Sequence, residues 1–451
     1  MSSLRRVLIA NRGEIALRVL RACHHAGIEA VAAYSDADKA ARWVELADDA
    51  VRLGGSPAAK SYLDPDAVLR AAHESGVDAV HPGYGFLAEN ADFARKAGEA
   101  GLVFIGPPPA EVIEQLGDKA TARRMAEQAG VPVVPGSGPL TDLTAATEAA
   151  ASIGFPLLVK ASAGGGGRGI RPVRNAAELA EVLPTAQAEA TAAFGDGTVY
   201  LERLVTNARH IEVQLLADEH GTVLHALERD CSVQRRRQKL VEEAPAPGLA
   251  PETRAAIADA AVRLARHVGY RNAGTAEFLL GEDGEFYFIE MNTRIQVEHP
   301  ITECITGLDL VAEQLRIAAG DPLRVTQSDL TPDGAAIELR LNAEDPDHGF
   351  RPSPGELTRF DLPGGLGVRV DSGFTAGDRI SPFYDSMLAK LICFGADRTE
   401  ALARARQALA ELRIDGLPTT ASMHARILAD PEFNAGPVHT GWLEPWLARE
   451  R

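Results

Sequence analysis

Several things are scarce in this sequence. Of 451 residues only four are cysteines, Cys23, Cys231, Cys304 and Cys393, and no two stand at CxxC spacing. That excludes a zinc ribbon, an iron–sulfur cluster and a disulfide framework, and it fits a reducing compartment. No run approaches the roughly 18 apolar residues of a membrane helix, and the opening MSSLRRVLIANRGE holds too few apolar residues for a signal-peptide core. A cytoplasmic protein without a membrane partner is expected. Positive charge is short as well: 46 Lys and Arg face 63 Asp and Glu, a formal charge of −17. Nucleic acid, whose phosphates demand a basic surface, is excluded as a general partner. Lysine is the rarer cation, 7 against 39 arginines, so each lysine marks a place suited to a compact ammonium rather than a planar fork. Lys119, Lys160 and Lys239 are candidates for a phosphate or small anion, whereas Lys39, Lys60 and Lys96 read as surface residues.

The length predicts two or three domains. Over the first hundred residues strand and helix patterns alternate: RRVLIA, EIALRVLRACHHAG, IEAVAAY, then DPDAVLRAAHESG with VDAVHPG and FARKAGEAG with LVFIGP. This predicts an α/β fold with a doubly wound parallel sheet. The turn after the first strand, Asn11-Arg12-Gly13-Glu14, has one glycine where a dinucleotide fingerprint needs three, and a carboxylate where pyrophosphate would lie. Nicotinamide binding is therefore disfavoured. The run EQLGDKATARRMAEQAG reads as helical, and VPVVPGSGPL after it reads as a hinge into a second module. Antiparallel strands follow from residue 199, with GEDG turning between two of them, then a helix, a β-rich section from AAIELRLNAED to AKLICFG, and the helix TEALARARQALAELRID.

Four motifs carry chemistry. In AGGGGRG, Ala163 to Gly169, the glycines Gly164, Gly165, Gly166 and Gly167 free backbone N–H groups for phosphate oxygens, and Arg168 adds charge. Both flanks read as strand and no GK[ST] follows, so this is a hairpin loop and not a Walker A motif; a flexible linker is the alternative. Second, Glu277 and Glu290 lie on consecutive strands joined by GEDG, with Asn292 two residues on, an oxygen-only set that suits magnesium. Third, NTRIQVEHP holds Arg294, Gln296 and Glu298, placed by strand alternation on one side as an anion binder, an amide and a carboxylate base. Fourth, ERDCSVQRRRQK gathers Arg229, Gln234, Arg235, Arg236, Arg237 and Lys239, read as an anion site rather than a solvated basic face.

Taken in order, IANRGEIALRV, SYLD, HPGYGFLAEN, KASAGGGGRGI, ERDCSVQRRRQK, EEAPAP, FIEMNTRIQVEHP, LNAEDP and YDSMLAKLI resemble the biotin carboxylases of the ATP-grasp superfamily, from Val7 to about Leu447. The resemblance implies an N-terminal α/β domain over 1–117, an ATP-grasp domain of α+β type over 118–330 with a mobile glycine-rich lid at about 133–205, and a C-terminal β-rich domain over 331–447. It implies an ADP-forming C–N ligase in which ATP and bicarbonate give carboxyphosphate, whose carboxyl moves to a ureido nitrogen of biotin. By the same resemblance ATP is held by Lys119, Lys160, the four glycines, Glu202, Leu204, His210, Gln234, Arg237, Glu277 and Glu290, and Mg2+ or Mn2+ by Glu277, Glu290 and Asn292. Lys239, Arg294, Gln296 and Val297 surround bicarbonate, Glu298 removes its proton, and Arg340 stabilises the biotin ureido oxyanion. Nothing in the residues around Arg340 signals that role.

Two positions depart from the family pattern: Ala163 stands for the first of five glycines, and Arg237 for a common histidine. None of the five methionines adjoins a lysine, as the biotin-bearing lysine's neighbours do, and the sequence stops just past the carboxylase region. Biotin is therefore expected on a separate biotin carboxyl carrier protein, with a carboxyltransferase as third component of an acetyl-CoA or other acyl-CoA carboxylase serving fatty acid biosynthesis, and with this chain a homodimer through the Arg21 and Arg369 regions. Another ATP-grasp ligase, or a nucleotide-binding scaffold without turnover, are the competing readings; the first leaves Arg294, Gln296 and Glu298 without a task, and the second should lack a base or a metal ligand.

Overall fold

A strand buried on both faces needs an unbroken apolar run, and Val7–Ala10 supplies one. In the computed structural model, which describes all residues except 1–3, 141, 162–169, 195–196 and 451, this run forms β1 (Arg6–Ile9). It is the centre of a parallel sheet with β2 (Glu29–Ser35), β3 (Asp49–Gly54), β4 (Ala79–His81) and β5 (Val103–Phe104), in the order β3-β2-β1-β4-β5. Val7 and Ile9 pack beneath the helix Gly13–His25, and Leu8 and Ala10 under the helix Pro65–Glu74 on the opposite face. The sheet is doubly wound, as expected. The turn after β1 is closed by its own side chains: Asn11 Nδ2 donates to the carbonyls of Pro82 and Tyr84 at 2.7 Å each, and Arg12 forks onto Asp38 at 2.9 Å.

The run expected as one helix after residue 113 breaks in two, Ala110–Gly117 and Lys119–Gln128, because Asp118 turns its carboxylate to the Thr121 N–H at 2.8 Å and caps a new helix. Lys119 thus opens the second helix. The next module is a small antiparallel sheet, β7 (Ile170–Val173), β6 (Leu157–Ala161) and β8 (Val199–Arg203), carrying the helices Leu143–Ile153 and Ala176–Phe194. The strand–loop–strand expectation holds for β6 and β7; Gly164, Gly165, Gly166, Gly167 and Arg168 lie outside the described residues. The segment expected as a free hinge instead runs along β8, with Arg203 N donating to Pro135 O at 2.8 Å, Ser137 N to Leu201 O at 2.8 Å and Leu140 N to Val199 O at 2.7 Å.

The rest is organised by one antiparallel sheet of eight strands: β13 (Phe286–Asn292), β12 (Asn272–Leu280), β9 (Arg209–Ala217), β10 (Val223–Arg235), β11 (Gln238–Ala244) and β14 (Ala335–Asn342), then the strands Met387–Gly395 and Val368–Ser372. β11 pairs with β14 from Val241↔Leu339 to Ala244↔Ala336, so the sheet runs without a break through residues on both sides of position 330. Strand alternation sorts the faces. Ile211, Val213 and Leu215 of β9 enter a core with the helix Pro251–His267, while His210, Glu212 and Gln214 turn to the other face.

Candidate active site

On that second face charged side chains line up across the sheet. The register places Glu290 opposite Glu277, Glu277 opposite Glu212 and Glu212 opposite Arg229; two strands on, Glu242 is opposite Glu338, and Arg340 is opposite Lys390. Buried like charges side by side would be costly. Cations from neighbouring strands offset them. Lys239 Nζ donates to Glu212 Oε2 at 2.5 Å, Glu277 Oε1 at 2.9 Å and Glu298 Oε1 at 2.6 Å, and Arg229, wholly buried, donates through Nε to Glu212 Oε1 at 2.6 Å. Arg340 grips two carboxylates at once, Glu242 Oε1 through Nε at 2.6 Å and Glu298 Oε2 through Nη2 at 2.8 Å. His210 Nε2 lies 3.0 Å from Glu277 Oε2.

Glu298 closes the site from above. After β13 the chain leaves the sheet, and residues 293–298 are a loop that ends at Glu298, the cap of the helix His299–Thr306. The alternation expected for Arg294, Gln296 and Glu298 is therefore not how they meet, because no strand exists there; the loop folds them inward through side-chain bonds. Arg294 donates to Gln296 Oε1 at 3.0 Å, to Asn292 Oδ1 at 3.1 Å and to Glu89 Oε2 at 2.9 Å, while Gln296 Nε2 and Asn292 Nδ2 both reach Glu277 Oε1, at 3.3 and 2.9 Å. Burial raises the Glu298 carboxyl, but Lys239, Arg340 and Arg229 outweigh it and hold it well below the usual carboxylate range. Glu277 is lowered in the same way by Lys239 and His210 against its burial. Burial lowers Lys239's hold on its proton, and Glu212, Glu277 and Glu298 reverse that, holding it well above the ordinary value.

The other candidates fall at the margin. Lys160 pairs with Glu202 across β6 and β8, both half-buried, and Lys119 Nζ stands 3.3 Å from Glu290. Gln234 is buried with its Nε2 3.4 Å from the Cys231 carbonyl. Leu204, just after β8, donates its N–H to Pro156 O at 2.9 Å, just before β6. Arg237 is exposed with φ +68, beside Arg236 at φ +48, in a two-residue turn between β10 and β11. Val297 offers its carbonyl to Lys390 Nζ at 2.8 Å. Sequence reasoning missed Lys390, Glu14, Glu212, Glu242 and Glu338. Lys390 carried a usable signal, a rare lysine inside the apolar strand AKLICFG, and Glu212 and Glu338 likewise interrupt apolar strands; nothing local marks Glu14. Lys39, Lys60 and Lys96 are exposed, as expected.

Three family models match successive parts of the chain: the biotin carboxylase N-terminal domain over residues 3–112, the ATP binding domain of the carbamoyl-phosphate synthase L chain over 118–326, and the biotin carboxylase C-terminal domain over 338–445. The biotin carboxylase of Haemophilus influenzae is 53% identical over 446 residues, covering 98% of this chain and 99% of its own, and biotin carboxylase 1 of Bacillus subtilis is 49% identical over 445 residues, covering 98% and 99%. Among solved structures, the biotin carboxylase domain dimer of Hydrogenobacter thermophilus 2-oxoglutarate carboxylase, in complex with MgADP, ADP and bicarbonate, superposes with a TM-score of 0.91 at 49% identity and 99% coverage of both chains. The biotin carboxylase-β-γ-ATP complex from Campylobacter jejuni does so with a TM-score of 0.92 at 42% identity, covering 98% of this chain and 99% of that one. With the fold, the Lys239–Glu298–Arg340 cluster around a buried carboxylate and near full-length identity of about half in agreement, the chain belongs to the biotin carboxylase family.

Proposed function

We propose that this chain uses ATP and bicarbonate to carboxylate biotin held on a separate carrier protein, through carboxyphosphate, as the first half-reaction of an acyl-CoA carboxylase. The observation that carries this is Glu298, a buried carboxylate held between Lys239 and Arg340. A carboxylate kept ionised there is ready as a base at neutral pH, and an arriving anion changes its balance. Bicarbonate drawn to Lys239, Arg294, Gln296 and Val297 competes for the cations that depress Glu298, so its proton affinity rises when a proton is offered. The bicarbonate oxygen freed of its proton attacks the γ-phosphorus of ATP and the bond to ADP breaks; carboxyphosphate then gives its carboxyl to the ureido nitrogen as its bond to phosphate breaks, and inorganic phosphate leaves with the nitrogen's proton. Arg340, its guanidinium already fixed on two sides, faces the oxyanion that develops on the ureido as its nitrogen loses a proton.

Nucleotide is assigned to Lys119, Lys160, Glu202, Leu204, His210, Gln234 and Arg237 with Gly164, Gly165, Gly166 and Gly167. With domains over 1–117, 118–330 and 331–447, these residues are read as lining one cleft. Glu277 and Glu290, opposite one another on β12 and β13, are an oxygen-only donor pair, each with a cation drawn to it, Lys239 and Lys119. The pair fits a hard divalent ion, and Glu277, Glu290 and Asn292 would hold it. When bound, magnesium or manganese offsets phosphate charge between nucleotide and protein. A homodimer working with a carrier and a carboxyltransferase in the cytoplasm fits this reading; among the described residues no helix is long and apolar enough to cross a membrane. The test is ADP release with ATP, magnesium and bicarbonate, with and without free biotin. Biotin stimulation that vanishes in Glu298→Ala supports the reading, and turnover answering to an amine instead of biotin overturns it.

A further inference from the structure

Beneath Arg340 the sheet holds a pair of acids that the reaction above does not use. Glu242 on β11 and Glu338 on β14 are register partners, so their side chains leave adjacent strands toward one face, both wholly buried. Glu242 Oε1 accepts from Arg340 Nε at 2.6 Å. The other three oxygens, Glu242 Oε2 and both of Glu338, have no donor among the described residues. The charged groups facing the pair are Lys239 on β11, Arg340 on β14, Lys390 on the strand Met387–Gly395 and Glu298 at the start of the helix His299–Thr306; the Cys304 thiol of that helix is close enough to feel Glu338. Lys390 does not supply the missing bond: its ammonium goes to Val297 O at 2.8 Å and Glu14 at 3.1 Å, with Asp371 at 3.9 Å. Two facing carboxylates that share a single donor, Arg340 Nε, and are out of contact with water cannot both stay charged.

We propose that Glu338 is a positioning residue of the active site: its carboxyl is protonated and donates to Glu242 Oε2, so that Glu242 presents one oriented negative charge to Arg340 Nε. Burial raises both carboxyls, Glu338 the more strongly, against the nearby Lys390 and Arg340 cations; of the two only Glu242 touches a cation, and its bond to Arg340 Nε is what leaves the proton on Glu338. The consequence for Arg340 is electrostatic. It already faces Glu242 and Glu298, and a third anion behind it would cancel its attraction for a developing oxyanion; one proton on Glu338 removes that charge and locks the Nε edge, leaving the guanidinium aimed at Glu298 and substrate. This rests on the role given to Arg340 above.

Glu338→Gln replaces the O–H donor by an N–H of the same shape, and its biotin-dependent kcat stays within about twofold of the parent. Glu338→Leu strands Glu242 Oε2 and loses about tenfold or more in kcat at an unchanged KM for ATP, a split that general loosening of the fold would not produce. A tenfold loss in Glu338→Gln, its failure to fold, or full kcat in Glu338→Leu each overturns the proposal; the first two mean that a charge was needed there, the last that the donor was not. Infrared difference spectra of the parent against Glu338→Gln at neutral pH show the C=O band of a protonated carboxyl, and its absence overturns the proposal as well. That band is read without turnover, so a chain that shows it but gives no biotin-dependent ADP release refutes the proposed function and leaves the protonation standing.

Discussion

Glu298 accepts one bond from Lys239 and one from Arg340, at 2.6 and 2.8 Å, with no exposure to solvent. Its charge is needed by both cations, and its basicity by the reaction proposed above. Glu298→Gln keeps the shape and removes the base, so kcat should fall by about 10²–10⁴ while ATP still binds; nucleotide titration beside the turnover assay separates the two effects. Arg340→Lys keeps the charge but not the fork. A lysine cannot hold Glu242 and Glu298 together, and a loss of about 10² in kcat is expected in the same assay, with little change in KM for ATP. At this scale much was legible: Glu277, Glu290, Lys239 and Glu298 could be proposed from residue type and spacing. Glu212 and Glu338 could not be assigned, because an acid in an apolar strand reads as a role only once its cross-strand partners are known.

At the scale of elements, the GEDG turn pairs Leu280 with Phe286 and Phe278 with Phe288, a register that would set Glu277 opposite Ile289; an irregularity between Glu277 and Phe278 shifts the ladder by one residue and brings Glu290 opposite Glu277. The β10–β11 hairpin turns instead through Arg236 and Arg237, both with positive φ, where asparagine and glycine are the favoured pair. No turn signal stands in QRRRQK, so this hairpin was not legible. Two arginines held in a left-handed turn indicate that the side chains matter more there than backbone ease. Replacing them by Asn-Gly should raise unfolding stability by about 1–2 kcal/mol and raise KM for ATP, measured by urea denaturation and by steady-state kinetics on the same variant. Arg237→His tests the permanent charge: ATP affinity should acquire a pH dependence across about pH 6–8 that the parent lacks.

For the whole molecule, Lys390 is where the parts meet. Its ammonium, wholly buried, reaches from the C-terminal strand Met387–Gly395 to Val297 in the 293–298 loop and to Glu14 on the first helix. Lys390→Met leaves Glu14 buried without its counter-ion and should cost about 3–5 kcal/mol in denaturant unfolding. Acid stability depends on buried histidines as well. Burial lowers His424 to about 4 and His81 to about 3. An unfolded imidazole takes up a proton below about 6.5, which the folded one resists, so this stability is complete above that value and is lost as pH falls through it toward the folded pKa. The raised carboxyls Glu338 and Glu242 work the other way, adding stability that is present below their unfolded value and lost as pH rises. The difference in melting temperature between the parent and His424→Gln isolates the histidine, and the disadvantage of the parent should grow steadily below about pH 6.5.

By itself the sequence determined what is local or periodic: the parallel sheet from alternating strands and helices, the strands β6 and β7, the turn that joins β12 to β13 and the candidate base. Each follows from spacing along the chain, because period and turn chemistry act over a few residues. Only the tertiary structure decided how the 293–298 loop folds Arg294, Gln296 and Glu298 together, that 135–140 is stitched to β8, that a register shift sets Glu277 opposite Glu290, and that Arg340, Lys390, Glu242 and Glu338 share the face on which Glu298 sits. Those contacts join residues up to hundreds of positions apart. The cost of burying charge, and hence which acid is ionised and which must hold a proton, is set by the partners that the fold brings together.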